Sequence, residues 1–403
     1  AEGCRRRGIE PPQVAKGITA AGAVARMCDA LWWRRQVRKI HGRRVERSAI
    51  GLGLVSTRAG LYASDETVGR RKEQRHRNRQ MLEACLAVNE LDQQYTLAEL
   101  ADLSVSNPII RRGELMTRMS GFEQCAERLG HVGEFYTITC PSRMHARHSK
   151  SGEVNESYDG TKPDEAQQYL CALWSRVRAA LHRRGVRVYG FRVAEPHHDG
   201  TPHWHLLLFM SPDQYRTCRE VLGSYALVDS PDEVGARKHR FSAVAIDPEK
   251  GTAAGYLAKY VAKNIDAYGV DRVDEDLTGR RDPRECAARV DAWASCWGIR
   301  QFQQIGGPSV TVWREARRIH EEQSGVLEDV RFAADKAQWD RYTEAMGGPV
   351  AARKDAPITT AKAFIRKPGR YGEPIGDRIV GLLCGNVVVV SRIHEWRLDQ
   401  CKK

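Results

Sequence analysis

Tyr256 and Tyr260 stand four residues apart in GYLAKYVAKNID (Gly255–Asp266). The apolar spacing of that segment predicts a helix, on which residues i and i+4 lie one turn apart on the same face. Two phenol hydroxyls can therefore reach one point. A phenol is a weak nucleophile at neutral pH because its pKa is about 10. It becomes competent against a phosphate when a metal polarises that phosphate and nearby cations neutralise its charge. Lys259 and Lys263 flank the same face at i+3 and i+7 from Tyr256 and are candidate contacts to a DNA backbone.

A candidate metal set lies upstream. His203 and His205 are separated by Trp204 in HWHLLLFM (His203–Met210), which has the composition of a strand. Strand side chains alternate, so both imidazoles point to one face, about 7 Å apart. Glu195 closes the preceding strand-like run, and the intervening PHHDGTP contains Asp199-Gly200, a turn signal. A turn centred there puts Glu195 almost opposite His203 and His205. Two imidazoles and a carboxylate leave open positions on Mg²⁺ or Mn²⁺, as a Lewis-acid site requires. His197 and His198, in the turn, could be ligands instead or be merely solvated. Each motif also has a bland alternative. A lone His-x-His on a strand is usually incidental, and paired tyrosines on an amphipathic helix usually pack into a core. The conjunction of all of them, in this order and in a basic chain, points to chemistry.

The elements that must position these groups alternate clearly between about Gly133 and Ile265. Strands are predicted over Glu134–Cys140, Val186–Glu195, His203–Met210 and Phe241–Ile246, with Val186–Met210 forming a hairpin. Helices are predicted over Lys162–Arg184, from Ser211-Pro212 to about Leu222, and from a Thr252 cap to about Ile265. This order gives an α+β fold with a mainly antiparallel central sheet flanked by helices. Three parts are expected. Residues 1–130 form a basic helical region, 131–320 the domain carrying the motifs, and 321–403 a C-terminal helix with a small β-containing tail. Within the last two parts, a long charged helix is expected from about Val312 to Ala345, a loop-rich stretch over 350–380 and a strand over Asn386–Ser391.

The chain has 403 residues, 41% of them hydrophobic, and a formal net charge of +13. Such a surplus favours a polyanionic partner, most often nucleic acid. Basic runs such as WWRRQVRKIHGRRVER (Trp32–Arg47) and GRRKEQRHRNRQ (Gly69–Gln80) could follow phosphates or simply be solvated helix faces. No stretch approaches the roughly 20 apolar residues of a membrane span. The opening AEGCRRRGIEPP lacks both a signal-peptide core and an initiator Met, which suggests a truncated chain or a fragment. The 11 cysteines form no CxxC pair and are a poor disulfide framework, so a reducing cytoplasm is expected.

FYTITCPS (Phe135–Ser142), EPHHDGTPHWHLLLF (Glu195–Phe209) and GYLAKYVAKNID resemble, in order, the three motifs of the HUH (His-hydrophobe-His) rolling-circle replication endonucleases. Within that superfamily the chain is most similar to the phage replication gene A protein family. GIRQFQQIGGPSVTVWREARR (Gly298–Arg318) resembles the block that follows its tyrosine motif, and the resemblance fades outside about Gly130–Arg318. The resemblance implies an HUH endonuclease domain in which His203 and His205 bind a divalent metal, with Glu195 the third ligand. Tyr256 or Tyr260 would attack the scissile phosphate of single-stranded or extruded origin DNA. The products would be a 5′-phosphotyrosine and a free 3′-OH that primes rolling-circle synthesis, and the other tyrosine would complete the rejoining. No nucleotide cofactor is implied. With no Walker motif visible, a host replicative helicase and polymerase are expected partners, in the host bacterial cytoplasm. Two rival readings are a mobilisation relaxase, which usually places its tyrosine before its histidines, and a non-catalytic DNA-binding relative.

Overall fold

The structure, a computed structural model, describes residues 1–399 apart from Lys16, Pro248, Lys250 and residues 266–281. Besides single-turn helices, the chain opens with α1 (Ala20–Cys28), α2 (Ala30–Gly51) and α3 (Asp65–Ala84), then β1 (Leu86–Asn89), β2 (Gln94–Thr96), α4 (Leu97–Asp102) and α5 (Pro108–Leu129). Next come β3 (Val132–Ile138), α6 (Pro163–Arg183), β4 (Tyr189–Pro196), β5 (Pro202–Met210), α7 (Tyr215–Ala226), β6 (Phe241–Ala245), α8 (Ala253–Ile265), α9 (Pro283–Trp297) and β7 (Phe302–Ile305). Helices α10 (Val310–Ala316), α11 (Gly325–Asp335) and α12 (Trp339–Ala345) follow, and then β8 (Ile358–Pro368), β9 (Pro374–Cys384), β10 (Val387–Val390) and β11 (Trp396–Leu398).

A five-stranded sheet in the order β6-β3-β5-β4-β7 forms the middle layer, and every neighbouring pair in it is antiparallel. The fold is thus mixed helix and antiparallel sheet, in the α+β class expected. The hairpin turns at Asp199-Gly200, where His197 N–H donates to the Thr201 carbonyl (2.8 Å) and Gly200 takes φ +85°. β4 is buried throughout and β5 almost so, because helices cover both sheet faces; this is why HWHLLLFM reads as a nearly unbroken apolar run. One face, with Tyr136, Trp204, Leu206 and Leu208, packs under α6 and α7. The other, with Phe135, Phe191, Leu207 and Phe209, packs under α5 and α8. Residues before 130 share these cores: Ala49, Ile50, Tyr62 and Val68 join the first, Met119 and Phe122 the second.

Gly190 lies in the inner strand β4 at φ +146°, where an added Cβ would sit 2.0 Å from the Leu207 carbonyl oxygen across the ladder. Backbone cannot yield as a side-chain tip can. Gly190→Ala should therefore cost at least about 3 kcal/mol of stability, read as a lower thermal or urea midpoint.

Two expectations are corrected. The helix expected over Val312–Ala345 is three helices, α10, α11 and α12. A continuous helix would hold Trp313 and Trp339 roughly 39 Å apart, whereas their rings meet at 5.1 Å and both pack on Tyr342. Chain reversals with Gly325 at φ +58° and Ala337 at φ +55° make that cluster possible. Residues 350–380 are not loop-rich, since β8 and β9 form a long hairpin joined to β10 in a second sheet. Its strands are mostly exposed and bulged at Ala361/Lys362, so the apolar alternation that marks a strand is weak. Of the described cysteines nine are free thiols and Cys85 is disulfide-bonded. Among the described residues no helix is long and apolar enough to cross a membrane.

Candidate active site

The sheet register brings the predicted residues together. Glu195 on β4 pairs directly with His203 on β5, Val193 pairs with His205, and Thr137 on β3 faces His205 from the other side. Antiparallel partners share a face, so the carboxylate and both imidazoles point the same way, toward α8. Glu195, His203 and His205 form a buried group whose ligand atoms all lie within 4.8 Å of one another. The two imidazole Nε2 atoms are 2.9 Å apart, and Glu195 Oε2 is 3.6 Å from His205 Nε2.

Protonation favours a cation site. Burial pushes the His205 pKa down to about 4 and holds His203 well below its ordinary value, so both rings are neutral at pH 7 and keep lone pairs for a ligand. The His205–Glu195 approach is accordingly not an ion pair. Thr137 Oγ1 lies 3.0 Å from His205 Nδ1; with that nitrogen protonated, the hydroxyl accepts its hydrogen and the Nε2 lone pair is turned toward His203. His203 Nδ1 is buried without a hydrogen-bond partner. A nitrogen, nitrogen and oxygen donor set of this kind fits a divalent ion.

Helix α8 carries the phenols over this group. Thr252 Oγ1 accepts from Gly255 N–H at its start, as expected, and Glu123 on α5 also accepts from Ala253 N–H (2.5 Å). The Tyr260 ring lies 4.4 Å from the His205 ring, and Phe135 stacks on both. Tyr256, one turn earlier, is 6.2 Å from Phe135, and both tyrosines are partly exposed. Lys259 is exposed, in keeping with a backbone contact, but Lys263 is buried. The Lys263 ammonium sits 3.3 Å from Glu195 Oε2 and 5.2 Å from the Tyr62 ring centre. Burial alone would lower its pKa, yet Glu195 and then Tyr62 raise it above the ordinary value, so it stays charged. Asp266, the last residue of the tyrosine motif, lies outside the described residues.

The model of the bacteriophage replication gene A protein (GPA) matches residues 5–268. The chain belongs to that family. The match begins far upstream of Gly130, so the N-terminal region shares in a resemblance expected only from there on. The chain is 42% identical to the replication gene A protein of Escherichia phage 186 over 94% of this chain and 56% of that protein. It is 39% identical to the probable replication protein P12 of Pseudoalteromonas phage PM2, over 94% of this chain and 59% of that protein. A probable replication endonuclease from a prophage-like region of Salmonella typhi is 36% identical over 90% of this chain and 46% of that protein. The chain thus spans about half the length of the curated relatives it matches. No solved structure matches it.

This family member also uses residues to which the motifs assigned no role. Asn264 Nδ2 donates to Glu195 Oε1 and to the Tyr260 carbonyl, and its Oδ1 accepts from Gln301 Nε2 (2.9 Å). Asn264 stands at i+4 from Tyr260, and Phe135 and Thr137 stand two apart on β3; these spacings were legible. Tyr62, at φ +70°, comes from a distant loop that no local pattern marks. The His197 ring lies 4.0 Å from the His203 ring at a tilt, with its Nε2 unpartnered, whereas His198 is tied through its Nε2 to the Arg147 carbonyl (2.9 Å).

The buried histidines set a pH dependence. The unfolded chain binds a proton on His205 near its ordinary 6.5, and the fold refuses it until about pH 4. Stability is therefore complete above about pH 6.5 and falls as the pH drops toward 4, by about 3 kcal/mol for this group. Urea midpoints measured in EDTA should fall more steeply between neutral pH and pH 5 for the parent protein than for His205→Gln.

Proposed function

We propose that this gene A family member initiates phage DNA replication by nicking one strand at an origin through a tyrosine, retaining the 5′ end covalently and later rejoining it. The observation that supports the reading is the placement of the Tyr260 ring on His205, above a buried Glu195/His203/His205 group. The prophage relative's name as a probable replication endonuclease supports it too.

Glu195, His203 and His205 would hold a divalent ion, Mg²⁺ or Mn²⁺, which supplies Lewis-acid polarisation of a phosphate oxygen. The chain's own groups do the rest. A tyrosine oxygen forms a bond to phosphorus while the bond from phosphorus to the 3′ oxygen breaks; that oxygen leaves with the electron pair and takes a proton, and the phenol proton passes to water. One phosphoester replaces another, so no nucleotide is consumed, and attack by the free 3′-OH reverses the step. Phe135 holds the phenol against the histidine plane, Thr137 fixes the His205 ring, and Lys263 with Asn264 holds the Glu195 carboxylate. Two tyrosines on one face allow a second cut after one round. A monomer can then release a unit-length circle by the rolling-circle route. Host helicase and polymerase would extend the 3′-OH in the host cytoplasm.

The test is a denaturing gel of protein incubated with Mn²⁺ and a labelled single-stranded pool covering the phage genome. A metal-dependent covalent protein–DNA band is expected. A folded, metal-binding protein that forms none with any DNA refutes the reading.

A further inference from the structure

A groove of about 1160 Å³ opens along the free edge of β7, which pairs only with β4 in the sheet. Helix α6 walls it on one side of the sheet, and α5 and the start of α10 wall it on the other. Six arginines line it, with Glu114 the single acidic residue. Glu114 is already engaged by Arg314 (2.7 Å) and Arg118 (3.4 Å). Arg178, Arg300 and Arg353 are exposed and form no ion pair among the described residues. Arg118, buried in the floor, has its pKa lowered to about 10 chiefly by burial, which Glu114 opposes while Arg314 and Arg300 each add a smaller repulsion. A wall this cationic is costly to assemble without an anion to fill it.

Two further features narrow the occupant. Gln303 projects from β7 into the groove with no hydrogen-bond partner among the described residues, and a carboxamide can both donate to and accept from a base edge. Gln301 lines the groove's near end and donates to Asn264 Oδ1, and Asn264 in turn donates to Glu195. The groove therefore begins two hydrogen bonds from the metal-capable group and leads away along the strand. A groove that follows one strand edge with arginines along its walls suits a single nucleic-acid strand.

We infer that the β7 groove is the track of the single-stranded DNA flanking the cleaved phosphate, with Arg178, Arg300 and Arg353 on its phosphates. The inference rests on the proposed nicking function and adds where the strand runs. It is tested by the anisotropy of a fluorescein-labelled oligothymidylate, in EDTA and over a salt series, with the parent chain and two triple variants. Arg178→Ala/Arg300→Ala/Arg353→Ala should bind at least about tenfold more weakly, and the steepness of log affinity against log salt should fall by about 2, as for three lost phosphate contacts. The triple Arg→Lys variant should keep most of both. Mn²⁺ titration calorimetry should be unchanged in all three, since none of the arginines touches Glu195, His203 or His205. Unaltered affinity and salt slope in the Ala variant, or no binding by the parent, overturns the groove. Arginine-dependent binding without any covalent adduct in Mn²⁺ would sink the nicking reaction and leave the groove standing. Adduct formation undiminished in the Ala variant at limiting DNA would do the reverse.

Discussion

Replacing Tyr256 and Tyr260 together by Phe should lower covalent adduct formation with single-stranded origin DNA by at least about a thousandfold, because a reaction that passes through a phosphotyrosine has no residual route once both oxygens are gone. Phe is the informative choice. At position 260 it keeps the ring that stacks on Phe135 and lies against His205 and removes only the hydroxyl, so the packing of α8 survives. Each single variant should still form adduct, since the two residues share a helix face. Tyr260→Phe should lose more, because Tyr260 is the one whose ring lies on His205 at 4.4 Å. The reading is checked by quantifying the shifted band in Mn²⁺ alongside circular dichroism of each variant. An adduct that persists in the folded double variant would place the nucleophile elsewhere.

His203→Ala or His205→Ala should weaken Mn²⁺ binding at least about a hundredfold and depress nicking by a comparable factor, since each removes one of three donors from a closed group. Both rings are neutral, so neither variant leaves a buried counter-charge behind, and the fold should tolerate the loss. Glu195→Ala is different. It would strand the Lys263 ammonium and the Asn264 amide without their acceptor, adding a folding penalty to the lost ligand. Titration calorimetry with Mn²⁺ on the two histidine variants is therefore the cleaner measurement. Binding indistinguishable from the parent protein in both would remove Glu195, His203 and His205 as the metal centre.

Much of the central sheet and its site was legible because the deciding signals are local. The period of 2 in His203-Trp204-His205, the Asp199-Gly200 turn and the i, i+4 spacing of Tyr256 and Tyr260 each act within a few residues. Together they brought Glu195 opposite His203 as the register now has it. What escaped depends on distant pairing. Tyr62 reaches Lys263 across about two hundred positions of sequence, and β11 is a strand only because β1 receives it. The charged stretch from Val312 onward looked like one helix because its folded-back form is dictated by the meeting of Trp313, Trp339 and Tyr342, which periodicity does not encode. Lys263 shows the converse limit. Its position on the helix was evident, but that its ammonium turns inward to Glu195 follows only from how α8 sits on the sheet.

That inward turn has a thermodynamic consequence. Lys263 and Asn264, both in the last turn of α8, grip the carboxylate that a divalent ion would need. An ion that drew on Glu195 would share the carboxylate with these two donors, so its occupancy and the seating of α8 would be linked. By reciprocity, a strand that repositions Tyr256 and Tyr260 must change the affinity for the ion by the same factor by which the ion changes the affinity for that strand. Coupled through α8, strand and ion would favour or oppose each other's binding to the same extent.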